Sequence, residues 1–185
     1  MRKKYYPVDI SKLLSHKMIC KNVEELMSDI DNIGVMGVAI IDERCHFKHV
    51  EKYLKGIRYS LYGSESEFDN FICDGQVLLL GEKRYYKQLA ILGYNEFFSF
   101  KTEVQAGCDD DIQGYDAHFY HMTENLSALF KNEVSENSFK ASTFHTNMWQ
   151  SVNYFCDVID INREIDRIVF PVNIETHIAA ITLIC

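Results

Sequence analysis

Proline is nearly absent from this chain, with two residues in 185, and no serine- and glycine-rich run stands in for a linker. The sequence offers no place to divide, so residues 1–185 read as a single globular domain. Nothing in it approaches the length of an apolar membrane span. The first residues, Met1-Arg2-Lys3-Lys4, continue into Tyr5-Tyr6-Pro7-Val8-Asp9 rather than an apolar segment, which argues against a secretory leader. No Cys-x-x-Cys pair occurs. Cys20, Cys45, Cys73, Cys108, Cys156 and Cys185 are scattered, mostly among apolar neighbours, and are expected to be reduced, buried thiols of a cytoplasmic protein. Gly-x-Gly, the P-loop, His-Glu-x-x-His and Gly-x-Ser-x-Gly are all missing, so no cofactor is expected. Basic residues are also in deficit, 19 against 27 acidic, for a net charge of −8. Beyond Arg2-Lys3-Lys4 and Glu82-Lys83-Arg84 there is no basic patch, which argues against nucleic acid and leaves a basic protein partner open.

What the sequence does hold is apolar residues, 47% of the chain, enough for one sizeable core. Asn22-Val23-Glu24-Glu25 is a capping box, and Val23, Leu26, Met27, Ile30 and Ile33 follow it at helical spacing up to Gly34. Residues 35–41 form a short apolar run that predicts a buried strand on which this helix packs. Residues 46–62 fit either a helix or alternating strands. Residues 77–80 suggest a short strand. Tyr85, Tyr86, Leu89 and Leu92 suggest a helix closed by Gly93. Phe98, Phe100, Thr102 and Val104 alternate with polar residues as a half-buried strand does. Residues 105–116 read as a Gly- and Asp-rich loop. Phe119, Met122, Leu126, Leu129 and Phe130 suggest another helix, and Val152, Phe155 and Ile159 a fourth. Residues 167–172 and 178–184 read as antiparallel strands joined by residues 173–177, with Ala179 and Ala180 small enough for a helix to pack over them. The expected fold is α+β, a central, mainly antiparallel sheet flanked by helices.

Several patterns could carry chemistry. His46-Phe47-Lys48-His49 and His118-Phe119-Tyr120-His121 share His-Phe-x-His, which on a helix would put both imidazoles of a pair on one face. The two lack an obvious shared third and fourth ligand, so the expectation is exposed histidines beside a buried Phe and no bound metal. Asp109, Asp111, Gln113 and Gly114 mimic the start of a calcium loop, but Tyr120 stands where the bidentate Glu belongs. The stretch from Ile168 through Pro171 to His177 resembles the histidine strand of Ulp-type cysteine proteases. That resemblance would imply a cysteine hydrolase, but those enzymes usually have Trp after the His, where this chain has Ile178. Their nucleophilic Cys also lies well downstream, where this sequence has only Cys185.

Two further stretches carry a broader likeness: Tyr94-Asn95-Glu96-Phe97-Phe98-Ser99-Phe100, and the residues from Phe119-Tyr120-His121-Met122 to Phe130. An aromatic strand followed by a helix opening with Phe-Tyr resembles the PAS-like sensory domain of LuxR-type bacterial regulators. The resemblance covers about half the chain and implies a non-catalytic sensory or regulatory domain. It departs in lacking the helix-turn-helix and the Trp, Tyr and Asp set of the autoinducer-binding branch. The expected binding residues are Phe98, Phe100, Thr102, Phe119, Tyr120 and Trp149, for a small apolar ligand or a protein partner. The alternative from composition is an acidic immunity or inhibitor protein that neutralises a basic toxin or enzyme.

Overall fold

The computed structural model describes residues 3–28, 38–126, 135–148 and 151–185. Its elements are almost all strands: β1 (Tyr5–Pro7), β2 (His49–Leu54), β3 (Ile57–Tyr62), β4 (Phe71–Asp74), β5 (Val77–Asn95), β6 (Phe100–Cys108), β7 (Asp111–Phe119), β8 (Phe139–His145), β9 (Ser151–Val169) and β10 (Val172–Ile184), with one short helix, α1 (Val23–Ser28). The expectation of a sheet flanked by helices is therefore wrong. The sheet is antiparallel as expected, but other strands cover it.

Its order is β1-β10-β5-β9-β6-β7, with β4 also on β10 and β8 also on β9, while β2 and β3 form a separate pair. Laid flat, a 19-residue strand such as β5 or β9 would run roughly 60 Å. That exceeds the roughly 40 Å width expected of a domain this long. Bulges relieve the mismatch. The β5–β9 register shifts between Leu79 and Arg84 and again between Tyr86 and Gln88, beside Asn162 at φ 44°. Extra residues at such points bend and coil the strands.

Alternation along the central strands feeds two cores. Leu89 and Ile91 of β5 join Ile181 and Leu183 of β10 and Ile159 of β9 on one face, closed by the β6–β7 hairpin through Val104, Ala117 and Phe119. Ala90, Leu92 and Tyr94 join Ala180, Tyr154 and Cys156 on the other, closed by Tyr59 of β3 and by Met18, Ile19 and Ile40. Every residue from Leu89 to Tyr94 is buried.

This double burial explains the missing helices. A strand covered on both faces is apolar at consecutive positions, so its period of two disappears from the sequence. The stripes at Tyr85 to Leu92 and at Val152 to Ile159 lie in β5 and β9, and Phe119 ends β7. Gly93 ends no helix. A Cβ there would stand 2.2 Å from the His177 carbonyl oxygen, so glycine lets β10 approach. Residues 46–62 hold the β2–β3 hairpin, turned by Lys55 (φ 50°) and Gly56 (φ 88°), the positive pair that a two-residue hairpin needs. Residues 105–116 are no loop but most of the β6–β7 hairpin. The two C-terminal strands do not pair with each other as expected: the chain leaves β9 at Val169, β10 includes residues 173–177, and β5 lies between β9 and β10, antiparallel to both. What packs over Ala179 and Ala180 is β3, whose Arg58 carbonyl accepts from Thr182 Oγ1 at 2.6 Å.

The capping box is present: Asn22 Oδ1 accepts from Glu25 N at 2.9 Å, and Glu25 reaches back to Lys21 N at 2.6 Å. The expected packing of this helix does not follow in the described part, where Val23 and Met27 are 48% and 66% exposed. Ile30, Ile33 and Gly34 lie outside the described residues. From the predicted strand, Val38, Ala39 and Ile40 are buried, with Ile40 bridging Ile19 and Thr146. No described helix is long and apolar enough to cross a membrane.

Candidate functional site

The expected aromatic site is partly assembled. Phe98 meets Phe100 edge-on at 6.0 Å, and Phe100 stacks on Phe119 at 5.9 Å. Phe119 belongs to the first core. Tyr120 is also buried, packed on Phe155, and its hydroxyl oxygen accepts from Ser135 N at 3.1 Å. Thr102 is half-buried opposite Ala117. Trp149 lies outside the described residues. Among the described members of the set only Phe98 is openly exposed, beside Phe97, at 56% and 51%. Both are presented by a turn that the buried Asn95 builds, its Oδ1 accepting from Phe97 N and Phe98 N.

The β6–β7 hairpin that follows carries an uneven charge. Val104, Ala106 and Ala117 face inward, and Lys101, Glu103, Gln105 and Asp116 face out. With Asp109, Asp110 and Asp111 at the turn, the hairpin exposes five carboxylates against one lysine. Glu103 stands directly opposite Asp116. Like charges so placed weaken a sheet. The Glu103 carboxylate lies over Gly114, which has no side chain to exclude it, and accepts from Gln105 at 3.0 Å. Lys101 pairs with Asp116 at 2.6 Å, and Arg163 of β9 pairs with Asp111. An open cavity of about 480 Å³ lies at the tip, lined by Lys83, Asp109, Asp110, Asp111, Arg163 and Glu164. The sequence signal was the Asp109-Asp110-Asp111 run between alternating segments. It was read as a solvated loop because Gly and Asp are common in loops.

His177 belongs to a buried polar knot rather than a hydrolase dyad. Its Nδ1 meets Asn70 Oδ1 at 2.7 Å, its Nε2 meets Glu96, and its ring stacks on Tyr94 at 4.8 Å. Cys185 lies eight residues further on, just past the end of β10, roughly 26 Å away in an extended chain. Four other thiols are unsuited to attack. Burial pushes those of Cys20, Cys45 and Cys156 up to about 12 and Cys73 higher still. The knot serves the fold. The Asn70 carbonyl accepts from Ser15 N and His16 N, Asn70 N donates back to the His16 carbonyl, and the Asp69 carboxylate accepts from Met18 N at 2.9 Å and Ile19 N at 2.8 Å. Asp69 is fully enclosed. Burial raises its pKa to about 6, against the lowering effect of Asn70 and the two backbone N–H groups.

The His-Phe-x-His pairs take separate local partners. His49 Nε2 meets Ser60 Oγ at 2.6 Å, and His121 Nδ1 meets Thr123 Oγ1 at 2.8 Å. His118 ends up beside Asp157, its Nδ1 3.6 Å from Oδ2. Spacing of three aligns side chains on a helix but sends them to opposite faces of extended chain. Among the described residues, no three His, Cys, Asp or Glu converge as metal ligands. The calcium-like residues sit on the hairpin instead of in a calcium loop.

Compared with family models and with curated proteins, the sequence matches none.

Proposed function

We propose that this protein is a non-catalytic regulatory module that binds a basic protein partner through the β6–β7 hairpin. One observation carries the reading: the exposed surface of the hairpin concentrates carboxylates, including the opposed Glu103 and Asp116, at a cost to sheet stability. The net charge of −8 would steer a cationic partner toward it. Among the described residues β7 ends the path of the sheet, and short of His118, whose N–H already donates to Asp157, an extended basic segment has an edge to join. Exposed Phe97 and Phe98 at the base of β6 supply the apolar anchors such interfaces use. This reading keeps the acidic inhibitor among the forms of the function. It also fits a reducing cytoplasmic setting, where six unpaired thiols persist.

The test uses an eight-residue peptide alternating lysine with valine, which can pair as a strand. It should bind the protein with an affinity that falls as salt rises. Glu103→Lys/Asp116→Lys should abolish binding. Glu65→Lys/Glu67→Lys, an equal charge change at two other exposed sites, should spare most of it. Equal loss in both double variants would reduce the effect to net charge and refute the assignment of the hairpin.

A further inference from the structure

The hydrogen bonds around His177 fix where its protons sit. Burial lifts the Asp69 pKa only to about 6, so at neutral pH its enclosed carboxylate is ionised and can only accept. Asn70 therefore turns its amide nitrogen toward Asp69, Nδ2 donating to Oδ1 at 2.8 Å. That leaves Asn70 Oδ1 facing His177, so the ring nitrogen 2.7 Å from it, Nδ1, has to donate. The other ring nitrogen, Nε2, meets Glu96 Oε1. A neutral imidazole with its proton on Nδ1 offers only a lone pair there, and an ionised carboxylate offers the same. The contact needs one more proton. Carboxylic acids are ordinarily stronger acids than imidazolium, by about two units, so that proton belongs on Nε2.

The surroundings favour a cation on this ring. The Tyr94 ring lies parallel to it at 4.8 Å and presents its electron-rich face. The Asp69 and Glu96 carboxylates stand at the two ends of the row. His16 meets the ring edge-on at 5.7 Å, and both burial and His177 push it toward its neutral form, so it adds no competing charge. β4 sets the uncharged Ile72 opposite His177.

Glu96 ties the ring to the exposed aromatics. It follows Asn95, whose Oδ1 accepts from Phe97 N and Phe98 N, and its own N–H donates to the Glu175 carbonyl at 3.1 Å. Its side chain turns in to His177, while those of Phe97 and Phe98 face solvent. Without the shared proton, two lone pairs would oppose each other, and Glu96, whose side chain reaches solvent, could withdraw to water.

We propose that His177 is an imidazolium that latches Glu96, and that loss of its proton as pH rises releases Glu96 and loosens the turn presenting Phe97 and Phe98. The effect on a partner rests on the function proposed above; the latch does not.

Nuclear magnetic resonance of the isotope-labelled protein reads both parts. At pH 7 both ring nitrogens of His177 should carry protons. By pH 9 only Nδ1 should, and the amide signals of Phe97 and Phe98 should shift over the same range. Glu96→Gln puts an amide donor opposite Nε2, so its ring should carry one proton at both pH values and those amide signals should hold still. The lysine–valine peptide should bind the parent about fivefold more weakly at pH 9 than at pH 7, although its lysines stay charged. Its binding to Glu96→Gln should not change. A bare Nε2 at pH 7, both ring protons retained at pH 9, or amide signals that ignore the ring's titration would overturn the proposal. A peptide that binds at no pH would refute the partner reading instead, since the ring and amide signals need no peptide.

Discussion

Asp69 is a carboxylate with no contact with solvent, and its effect on stability can be worked out from its surroundings. Its folded pKa is about 6 against 3.8 unperturbed, because desolvation outweighs the bonds from Asn70, Ile19 and Met18. Between those two values the folded protein holds a proton that the unfolded chain has released. Stability must therefore fall as pH rises through this window and level off above about 6. The gap of roughly two units corresponds to about 3 kcal/mol in all, from well below pH 3.8 to well above pH 6. Other groups titrate nearby. His16 is shifted down by burial and by His177, so its contribution is lost as pH falls, the opposite sign. Comparing the parent with Asp69→Asn removes such shared terms. Urea unfolding of both at closely spaced pH values from 4 to 8 is the assay. The parent should lose about 2 kcal/mol relative to the variant as pH rises from 4 to 7. A flat difference, or one that grows in favour of the parent, would refute the claim that burial dominates at Asp69.

Three other outcomes are expected. Glu103→Gln should raise stability in thermal unfolding by about 0.2–1 kcal/mol, because it ends the repulsion from Asp116, and should weaken binding of the basic peptide. Gly93→Ala should destabilise by about 3 kcal/mol or more, measured by urea unfolding, because the new methyl meets the backbone of His177 rather than a movable side chain. A thiol reagent applied to the native protein should modify Cys185 ahead of the other cysteines, since it is the one that is not buried. Cys185→Ser should remove the fast phase, as followed by mass spectrometry.

Local features were legible in the sequence by itself: the Asn22–Glu25 cap, the alternation from Phe100 to Val104, the extended C-terminal segment from Ile178 to Ile184 and the surplus of negative charge. Each depends on neighbours in the chain or on composition alone. The tertiary structure decided the rest. Leu89 to Tyr94 and Val152 to Ile159 are strands because hairpins cover both faces of the central sheet, and that covering erases the alternation that would have marked them. Strand pairing sets Glu103 against Asp116 and, by extending residues 172–184, holds His177 apart from Cys185. It also brings Asn70 and His177, 107 residues apart in sequence, into one knot. Spacing along a chain becomes a shared face only once helix or strand is fixed, and here contacts distant in sequence fixed it.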